Sequence, residues 1–551
     1  MSQGVYYSSA NYTFRLPARQ SISRIDLERL AGLVNKRNAQ VESESGHLAL
    51  VRRARDYAPR TAIQDAQGAR SYADLLRQSA HISEKLLDGA SDLAEARVAF
   101  LVERGFAYVA VQWGIWRAGG VAVPLCDGHP PAELEYHVTD SEARTVISAG
   151  APGELLRKIA GQAGCRFMDL DDFDFDDLHD GETPDDLGDE GRLPRIAASR
   201  RAMILYTSGT TSRPKGVVST HANIRAQIEM LVEAWKWKAD DSILNVLPLH
   251  HVHGIVNVLL CALWSGATCE FLPRFDASAV WGRFATGSLS LFMAVPTIYV
   301  KLIAAWRSAD DATRKTWSEA CRGLRLMVSG SAALPVPVLE SWRDLSGHVL
   351  LERYGMTEIG MALSNPLDGE RRAGCVGVPL PGVEVVLLDE AGDTVPAGAP
   401  GEIHVRGPAV FHEYGCRPEM TRDAFRGGWF RTGDVAIVED GMYRILGRMS
   451  VDIIKSGGYK ISALEIEDVL LRHEAICECA VVGVPDDEWG ERVACAVVSD
   501  LGVSLEELRH WARDQLAPYK LPSLLMCVDE LPRNALGKVT KPAVAELFSD
   551  G

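Results

Sequence analysis

Apolar runs alternate with amphipathic stretches along most of the chain from about residue 47 onward. ARVAFLV (96–102) predicts a buried strand, AYVAVQWGIWRAGG (107–120) predicts a helix that ends at glycine, and VAVPL (121–125) predicts the next strand. Further strand-like runs follow at SLFMAVP (290–296), LRLMVSGS (324–331) and HVLLERYG (348–355). This alternation predicts parallel sheets that are covered by helices.

The pattern changes near residue 376 and again after YRILGR (443–448). The segment 383–407 has a strand, a turn and a strand with Gly and Pro between them, which indicates a small β-barrel or meander. Two amphipathic helices and two strands then predict a small α+β domain. We therefore expect a combined α/β and α+β fold with three parts. These are an N-terminal extension (1–46), a large domain of parallel α/β sheets plus a small β-barrel (47–447), and a small mobile C-terminal domain (448–551).

Composition narrows the class of partner. The chain has 551 residues and a formal net charge of −16, which requires more than one core and argues against nucleic acid or an anionic membrane surface as a partner. The longest apolar run, 255–264, is interrupted by Asn257. It is shorter than the roughly 20 residues that cross a bilayer, so we expect no stable membrane insertion. The pattern does not predict an oligomeric state.

The first 25 residues contain no acidic side chain and are rich in Ser, with Arg15, Arg19 and Arg24 among them. This composition is typical of an organellar transit peptide, but the apolar residues form no clean helical face. We expect a cytoplasmic protein, with the mitochondrial matrix as the alternative.

The segment YTSGTTSRPKGVVSTH (206–221) follows an apolar run and predicts a phosphate-binding loop. It differs from the Walker pattern because Pro214 stands where that pattern has glycine and Gly216 follows Lys215 in place of Ser or Thr. Its hydroxyl groups, its glycine and its lysine nevertheless suit a phosphate group.

Five further motifs stand in a fixed order behind this loop. They are YGMTE (354–358), WFRTGD (429–434), GR (447–448), SGGYKIS (456–462) and PRNALGK (532–538). With these motifs the chain resembles the adenylate-forming superfamily of acyl-CoA synthetases, peptide-synthetase adenylation domains and luciferases. Its amino-acid sequence around these motifs is most similar to that of the malonyl/methylmalonyl-CoA synthetase branch.

The resemblance implies a two-step reaction with ATP, Mg²⁺, CoA and a small carboxylic acid. The carboxylate attacks the α-phosphate of ATP, and the CoA thiol then displaces AMP from the acyl-adenylate. Such a reaction needs no covalent enzyme nucleophile, so positioning and charge stabilisation carry it. The absence of a GxSxG sequence agrees with this expectation.

The resemblance also implies the site residues. The nucleotide would be bound by Thr207, Ser208, Gly209, Thr210, Thr211, Ser212, Arg213, Pro214, Lys215, Tyr354, Asp434 and Arg448. The expected catalytic residues are Lys538, Thr357, Glu358 and His253, with Glu358 as the magnesium ligand. CoA would pass Lys455, Ser456, Gly457 and Gly458 once the C-terminal domain has rotated.

Two positions depart from the family pattern. Ser212 stands where glycine is usual, and GRMSVDIIK (447–455) is one residue longer than the usual hinge segment. The hinge residue of the small domain is therefore either Ser450 or Asp452.

The acid would lie near HHVHG (250–254), for which we do not expect zinc, since no partner ligands occur at helical or hairpin spacing. A malonate pocket needs a fixed cation, and Arg325 is the candidate because a guanidinium can bind a carboxylate through two hydrogen bonds. The alternative for Arg325 is a structural ion pair. His253, Met361 and Ser364 are the other candidates for contacts with the acid.

We thus expect an ATP-dependent ligase that forms malonyl-CoA or methylmalonyl-CoA. Two alternatives remain open. One is an acyl-CoA synthetase for short or medium monocarboxylic acids, and the other is a nucleotide-binding regulator without turnover.

Overall fold

Two large sheets with parallel centres occupy most of the chain between residues 48 and 379. The computed structural model describes residues 48–173, 175, 192–207, 213–456, 459–486, 488–533 and 539–548. The extension 1–46 and the expected site residues 208–212, Gly457, Gly458 and Lys538 lie outside the described residues.

The strands as far as residue 379 are β1 Thr61–Asp65, β2 Gly68–Ser71, β3 Arg97–Leu101, β4 Val121–Pro124, β5 Thr145–Ser148, β6 Arg166–Asp169, β7 Arg201–Thr207, β8 Lys215–Thr220, β9 Ser242–Asn245, β10 Thr268–Phe271, β11 Leu291–Ala294, β12 Leu326–Ser329, β13 Leu351–Met356, β14 Gly360–Ser364 and β15 Val378–Pro379. The later strands are β16 Glu384–Leu388, β17 Gly401–Arg406, β18 Glu413–Tyr414, β19 Phe425–Arg426, β20 Trp429–Glu439, β21 Met442–Arg448, β22 Ile453–Ser456, β23 Tyr459–Ser462, β24 Glu478–Asp486, β25 Gly490–Val498 and β26 Leu524–Cys527.

The helices are α1 Ala49–Asp56, α2 Tyr72–Leu87, α3 Phe106–Arg117, α4 Pro131–Asp140, α5 Gly150–Ala163, α6 His221–Ala234, α7 Cys261–Ser265, α8 Ala277–Ala285, α9 Pro296–Ser308, α10 Asp311–Cys321, α11 Val336–Ser346, α12 Pro418–Ala424, α13 Ala463–Leu470, α14 Leu505–Ala512 and α15 Lys541–Glu546. Short 3₁₀ turns cover Leu170–Phe173 and Pro518–Lys520, and a π-helix covers His253–Leu260.

The first sheet has the order β15-β14-β13-β12-β11-β9-β10-β1-β2. Its central pairs from β13 to β1 are parallel. Strands β11 and β12 are buried at every position, as expected for parallel strands that have helices on both faces. The strands predicted from the apolar runs 290–296, 324–331 and 348–355 are therefore confirmed.

The second sheet has the order β18-β8-β7-β4-β3-β5-β6. Its inner pairs are parallel, whereas β7 and β8 are antiparallel and pair Thr207 with Lys215. Residues 208–214 thus connect two strands that lie side by side. The segment that the sequence predicts to bind phosphate is held at both of its ends by this sheet.

Helix α3 lies inside the protein, and each residue from Tyr108 to Arg117 is buried. Its Trp113 belongs to the same apolar cluster as Phe100 of β3 and Phe292 of β11. The two sheets therefore share one core, which explains why this helix lacks a polar face.

Antiparallel strands follow these sheets, as the strand–turn–strand pattern predicts. They pair in the order β16-β17-β20-β19, with β21 on β20. No pairing among the described strands closes this sheet into the expected barrel.

A smaller C-terminal domain has its own sheet, in the order β23-β22-β25-β24 with β26 on β25. Its separate apolar cluster includes Ile454, Ile466, Val481 and Leu508. The predicted combination of α/β and α+β parts, with a large N-terminal and a small C-terminal domain, is confirmed. Within the described part of the chain, no helix is long and apolar enough to cross a membrane.

Candidate active site

The base of the phosphate loop is fixed by α4. Tyr136 of this helix donates a hydrogen bond to the carbonyl of Pro214 (2.6 Å), and the exposed Arg213 has its guanidinium carbon 5.8 Å from the Tyr136 ring centre. Thr207 Oγ1 is buried without a hydrogen-bond partner in the described part of the protein. A buried hydroxyl without a partner at the mouth of the loop is suited to an incoming oxygen atom.

Lys215 and Glu358 are joined through Tyr414. Lys215 Nζ donates to the Tyr414 hydroxyl (2.9 Å), which in turn donates to Glu358 Oε1 (2.9 Å). Lys215 Nζ also lies 3.6 Å from Glu358 Oε1. Burial lowers the pKa of Lys215, while Glu358 acts in the opposite direction. The motifs at 206–216 and 354–358 therefore form one charged group, which Tyr414 completes although the sequence motifs do not include it.

Glu358 and Thr357 lie in the turn between β13 and β14. The backbone N–H of Phe411 donates to the Glu358 carbonyl (2.7 Å), and the N–H of Ile359 donates to the Met356 carbonyl (3.2 Å). The turn is thus fixed on both sides. It presents a buried carboxylate beside the phosphate loop.

Tyr354, Asp434 and Arg448 form a second group. The Tyr354 hydroxyl donates to Asp434 Oδ2 (2.6 Å), and Arg448 Nε lies 3.2 Å from Asp434 Oδ1. Burial raises the pKa of Asp434, and Arg448 counteracts this rise. The structure brings together the three residues that the resemblance assigns to the nucleoside, and Arg448 also donates to the Thr432 carbonyl (2.8 Å).

The prediction that Arg325 binds the acid is wrong, because its guanidinium is already used. Nε and Nη2 donate to the buried carboxylate of Asp241 (2.7 and 2.5 Å), and Nη1 donates to the Trp235 carbonyl (3.0 Å). Arg325 also lies just before β12, whereas Ser331, which contacts the acid candidate His253, lies beyond the end of that strand. The four residues of the strand separate the two positions by about 13 Å. The ion pair that was the alternative is what the structure contains.

Arg353 is a cation that the sequence motifs did not single out. Its side chain is buried, and Nη2 donates to Ser331 Oγ (3.2 Å). Its Nε and Nη1 have no hydrogen-bond partner among the residues that the structure describes. Burial lowers the pKa of Arg353 to about 9 and raises that of the adjacent Glu352 to about 8. At neutral pH Arg353 is therefore charged while Glu352 is protonated, so Glu352 does not neutralise it.

His253 belongs to the same group of side chains. Its Nδ1 lies 3.2 Å from Ser331 Oγ, at the first residue of the π-helix. Ser331 has a φ of 69°, a conformation that is uncommon for a residue with a side chain and often found at functional sites. Ser331 thus links His253 to Arg353.

The two other candidates for the acid pocket lie on β14, next to β13. Ser364 Oγ accepts a hydrogen bond from the Trp235 indole (3.2 Å) and donates to the Asn365 carbonyl (2.8 Å). Met361 is buried against Gly355, where an added Cβ would lie 2.5 Å from Met361 Cε. Ser364 therefore has a structural contact of its own, while Met361 remains a candidate for the pocket wall.

The small domain contributes Lys455, which is exposed, and Ser456, both on β22. The Lys455 backbone N–H donates to Glu491 (2.5 Å). An antiparallel bridge between Arg533 and Val539 closes the loop that includes Lys538.

The chain matches the family model described as AMP-binding enzyme over residues 50–415, and a model of the C-terminal domain of the same enzymes over residues 465–538. This chain belongs to the AMP-binding enzyme family. The position of this match agrees with the geometry, because the phosphate loop, Glu358 and Tyr414 all lie inside the first range.

This AMP-binding enzyme is similar to curated relatives along most of its length. It is 48% identical to the mitochondrial malonate–CoA ligase of Bos taurus, with 89% of this chain and 88% of that protein covered. It is 40% identical to a malonate–CoA ligase of Arabidopsis thaliana, with 92% and 90% covered. Among solved structures, ATP-bound MatB from Rhodopseudomonas palustris matches with a TM-score of 0.82 at 33% identity, over 91% of this chain and 99% of that one.

Proposed function

We propose that this enzyme joins malonate to CoA at the expense of ATP, through a malonyl-adenylate, with release of pyrophosphate and AMP. The single observation that carries the choice of acid concerns the buried guanidinium of Arg353. Two of its nitrogens, Nε and Nη1, lack an acceptor among the described residues. A buried charge is stable only when it is paired. The second carboxylate of a dicarboxylic acid supplies that partner, and a monocarboxylic acid does not.

The nucleotide would be held by the two groups of side chains described above. Thr207 and Lys215 flank the loop for the phosphates, and Asp434 with Arg448 offers an acceptor and a donor for the ribose side. The buried Glu358 oxygens fit a hard cation such as Mg²⁺, which prefers carboxylate and phosphate oxygen ligands. When bound, this ion would reduce the negative charge of the phosphates.

In the first step, an oxygen of one malonate carboxylate attacks the α-phosphorus while the bond to pyrophosphate breaks. Arg353 and His253 would orient malonate through its other carboxylate, so that the reacting group points toward Thr357. Lys538 would neutralise charge at the α-phosphate. In the second step the CoA sulfur attacks the acyl carbonyl carbon and AMP leaves.

We also propose that the small domain rotates between these steps about the segment near Ser450 and Asp452, with 47–447 and 448–551 as the moving bodies. Each catalytic configuration then uses one face of the small domain. Two contacts would be exchanged in this motion. Ser462 Oγ donates to the Leu446 carbonyl, and the Val336 N–H donates to the carboxylate of Asp468.

A panel of acids tests the proposal. Tag-free protein is incubated with ATP, Mg²⁺, CoA and malonate, methylmalonate, butyrate or octanoate, and AMP and thioester are measured together. We expect kcat/KM for malonate to exceed that for butyrate at least tenfold. Preference for the monocarboxylates would establish the first alternative. ATP binding without pyrophosphate release for any acid would establish a regulator without turnover.

The composition of the N-terminus bears on the cellular compartment of the enzyme. The acid-free N-terminus and the mitochondrial relatives together favour the matrix over the cytoplasm as the site of this enzyme. A fluorescent protein fused behind residues 1–46 tests this in a eukaryotic cell. Diffuse cytoplasmic fluorescence would support the cytoplasm.

A further inference from the structure

A second group of ligand-type side chains lies on and beside α4, and the function proposed above assigns none of them to the nucleotide or the acid. Cys126, His129 and His250 each offer one ligand atom, and the three atoms lie within 4.8 Å of one another. His129, Glu133 and His137 form a second trio under the same limit. The two trios share His129, so the five side chains are continuous.

We propose that Cys126, His129 and His250 bind a zinc ion, with His137 or Glu133 as the fourth ligand. Tetrahedral zinc with one thiolate and two or three imidazole ligands requires ligand atoms about 3.5 Å apart. The three ligand atoms lie within 4.8 Å of one another, so a bound ion would draw them closer together. This site is separate from the one that contains Glu358.

Three imidazole nitrogens support the site because they have nothing else to bind. His129 Nδ1, His137 Nε2 and His250 Nε2 are buried and have no hydrogen-bond partner in the described part of the chain. Glu133 Oε1 comes within 3.7 Å of His129 Nε2 and 3.9 Å of His137 Nε2, which is too far for a hydrogen bond. Buried polar atoms of this kind are rare without a ligand.

The donor set favours zinc. Cys126 is buried and offers a sulfur, and one sulfur with two or three imidazole nitrogens favours zinc over Mg²⁺, which prefers oxygen.

The site also contacts the strand that leads into the phosphate loop. The His137 ring stacks on Tyr206, with 4.1 Å between ring centres and 24° between planes. Tyr206 donates to Asp140 (2.9 Å) at the end of α4. A bound ion would therefore join α4 and the His250 segment and fix them against the strand below the loop.

Cobalt absorption gives the test. Tag-free full-length protein is stripped with a chelator and titrated with Co²⁺, and the near-ultraviolet sulfur-to-cobalt charge-transfer band is recorded. We expect one Co²⁺ per chain and loss of the band when Zn²⁺ is added. In Cys126→Ser the band should disappear, and His129→Ala should weaken Co²⁺ binding at least tenfold. The exposed Cys416→Ser and His510→Ala serve as matched controls and should behave as the unaltered protein does.

X-ray absorption at the zinc edge, on the unaltered protein, decides the matter even if a variant does not fold. One sulfur and two or three nitrogens in the first shell support the proposal. Absence of the charge-transfer band, a shell without sulfur, or a band that Cys126→Ser retains would each overturn it.

Discussion

Gly330 and Arg353 are packed so closely that only a hydrogen atom fits between the glycine Cα and the guanidinium. A Cβ built on Gly330 would lie 2.6 Å from Arg353 Cζ and 2.7 Å from Nε. The buried cation and the glycine of the SGSA segment therefore form one unit. The glycine is needed here to give space to the side chain that we propose for malonate.

Gly330→Ala tests that unit. The added methyl group should displace the guanidinium, so kcat/KM for malonate should fall at least tenfold while that for butyrate changes much less. A tenfold loss corresponds to about 1.4 kcal/mol of transition-state binding. The matched control is Gly282→Ala on α8, where an added Cβ meets nothing within 4 Å. Equal losses for both acids would show that the methyl group disturbs the nucleotide side instead.

Arg353→Gln and Arg325→Gln separate the two arginines. Arg353→Gln should lower kcat/KM for malonate about 100-fold, because a charge-assisted pair with carboxylate is worth about 2 to 3 kcal/mol. Arg325→Gln should leave the ratio of malonate to butyrate unchanged. It should instead lower the free energy of unfolding by about 2 kcal/mol in urea titration, since Asp241 loses its partner. The reverse pattern would restore Arg325 as the acid-binding residue.

The sequence predicts the two sheets well because their strands are apolar runs and their helices are periodic. It also predicts that Lys215 lies near Glu358 and that Tyr354 lies near Asp434 and Arg448, since those residues stand in short motifs. Arg325 shows where such reasoning fails. A charged residue at the start of a strand is visible in the sequence, but its partner Asp241 is 84 positions away and only the fold brings the two together.

Arg353 could have been found from one feature, namely the two adjacent charged side chains Glu352 and Arg353 inside the strand LERYGM (351–356). Its burial and its unpaired nitrogens depend on β12 and the turn at Ser331, which the sequence does not show. The cluster around His129 is similar, because His250 comes from a distant segment. Spacing along the chain groups Cys126, His129, Glu133 and His137, but only the fold brings His250 to them.

Glu352→Gln should stabilise the protein increasingly as the pH rises. Burial raises the pKa of Glu352 from 4.5 to about 8, so folding favours the protonated carboxyl. The contribution of Glu352 to the free energy of unfolding is therefore complete below pH 4.5 and is lost as the pH rises toward 8. The amide oxygen of glutamine can still accept the Leu334 N–H, which lies 3.1 Å from Glu352 Oε1.

Urea titrations at several pH values between 5 and 8 check this expectation. The unfolding free energy of the variant minus that of the unaltered protein should grow with pH, with a slope of at most about 1.4 kcal/mol per pH unit. A constant difference across the range would mean that Glu352 titrates alike in both states.

Lys541 joins the hinge segment to the small domain. Its ammonium lies 2.8 Å from Asp452 Oδ1 and 2.7 Å from Glu467 Oε1, and it is mostly buried. Lys541→Met leaves two carboxylates without their cation, so the unfolding free energy should fall by about 3 kcal/mol. Lys520→Met is the control, because its pair with Glu465 is more exposed and should cost at most about 1 kcal/mol.

Combining Lys541→Met with Asp452→Asn tests whether the pair acts as one unit. The Asp452 carboxylate also accepts the Arg448 backbone N–H (2.9 Å), so Lys541 holds the residue that fixes the start of the hinge. If the two side chains stabilise the hinge together, the double variant should lose at least about 1 kcal/mol less than the sum of the single losses. Additive losses would mean that Lys541 acts mainly through Glu467, inside the small domain.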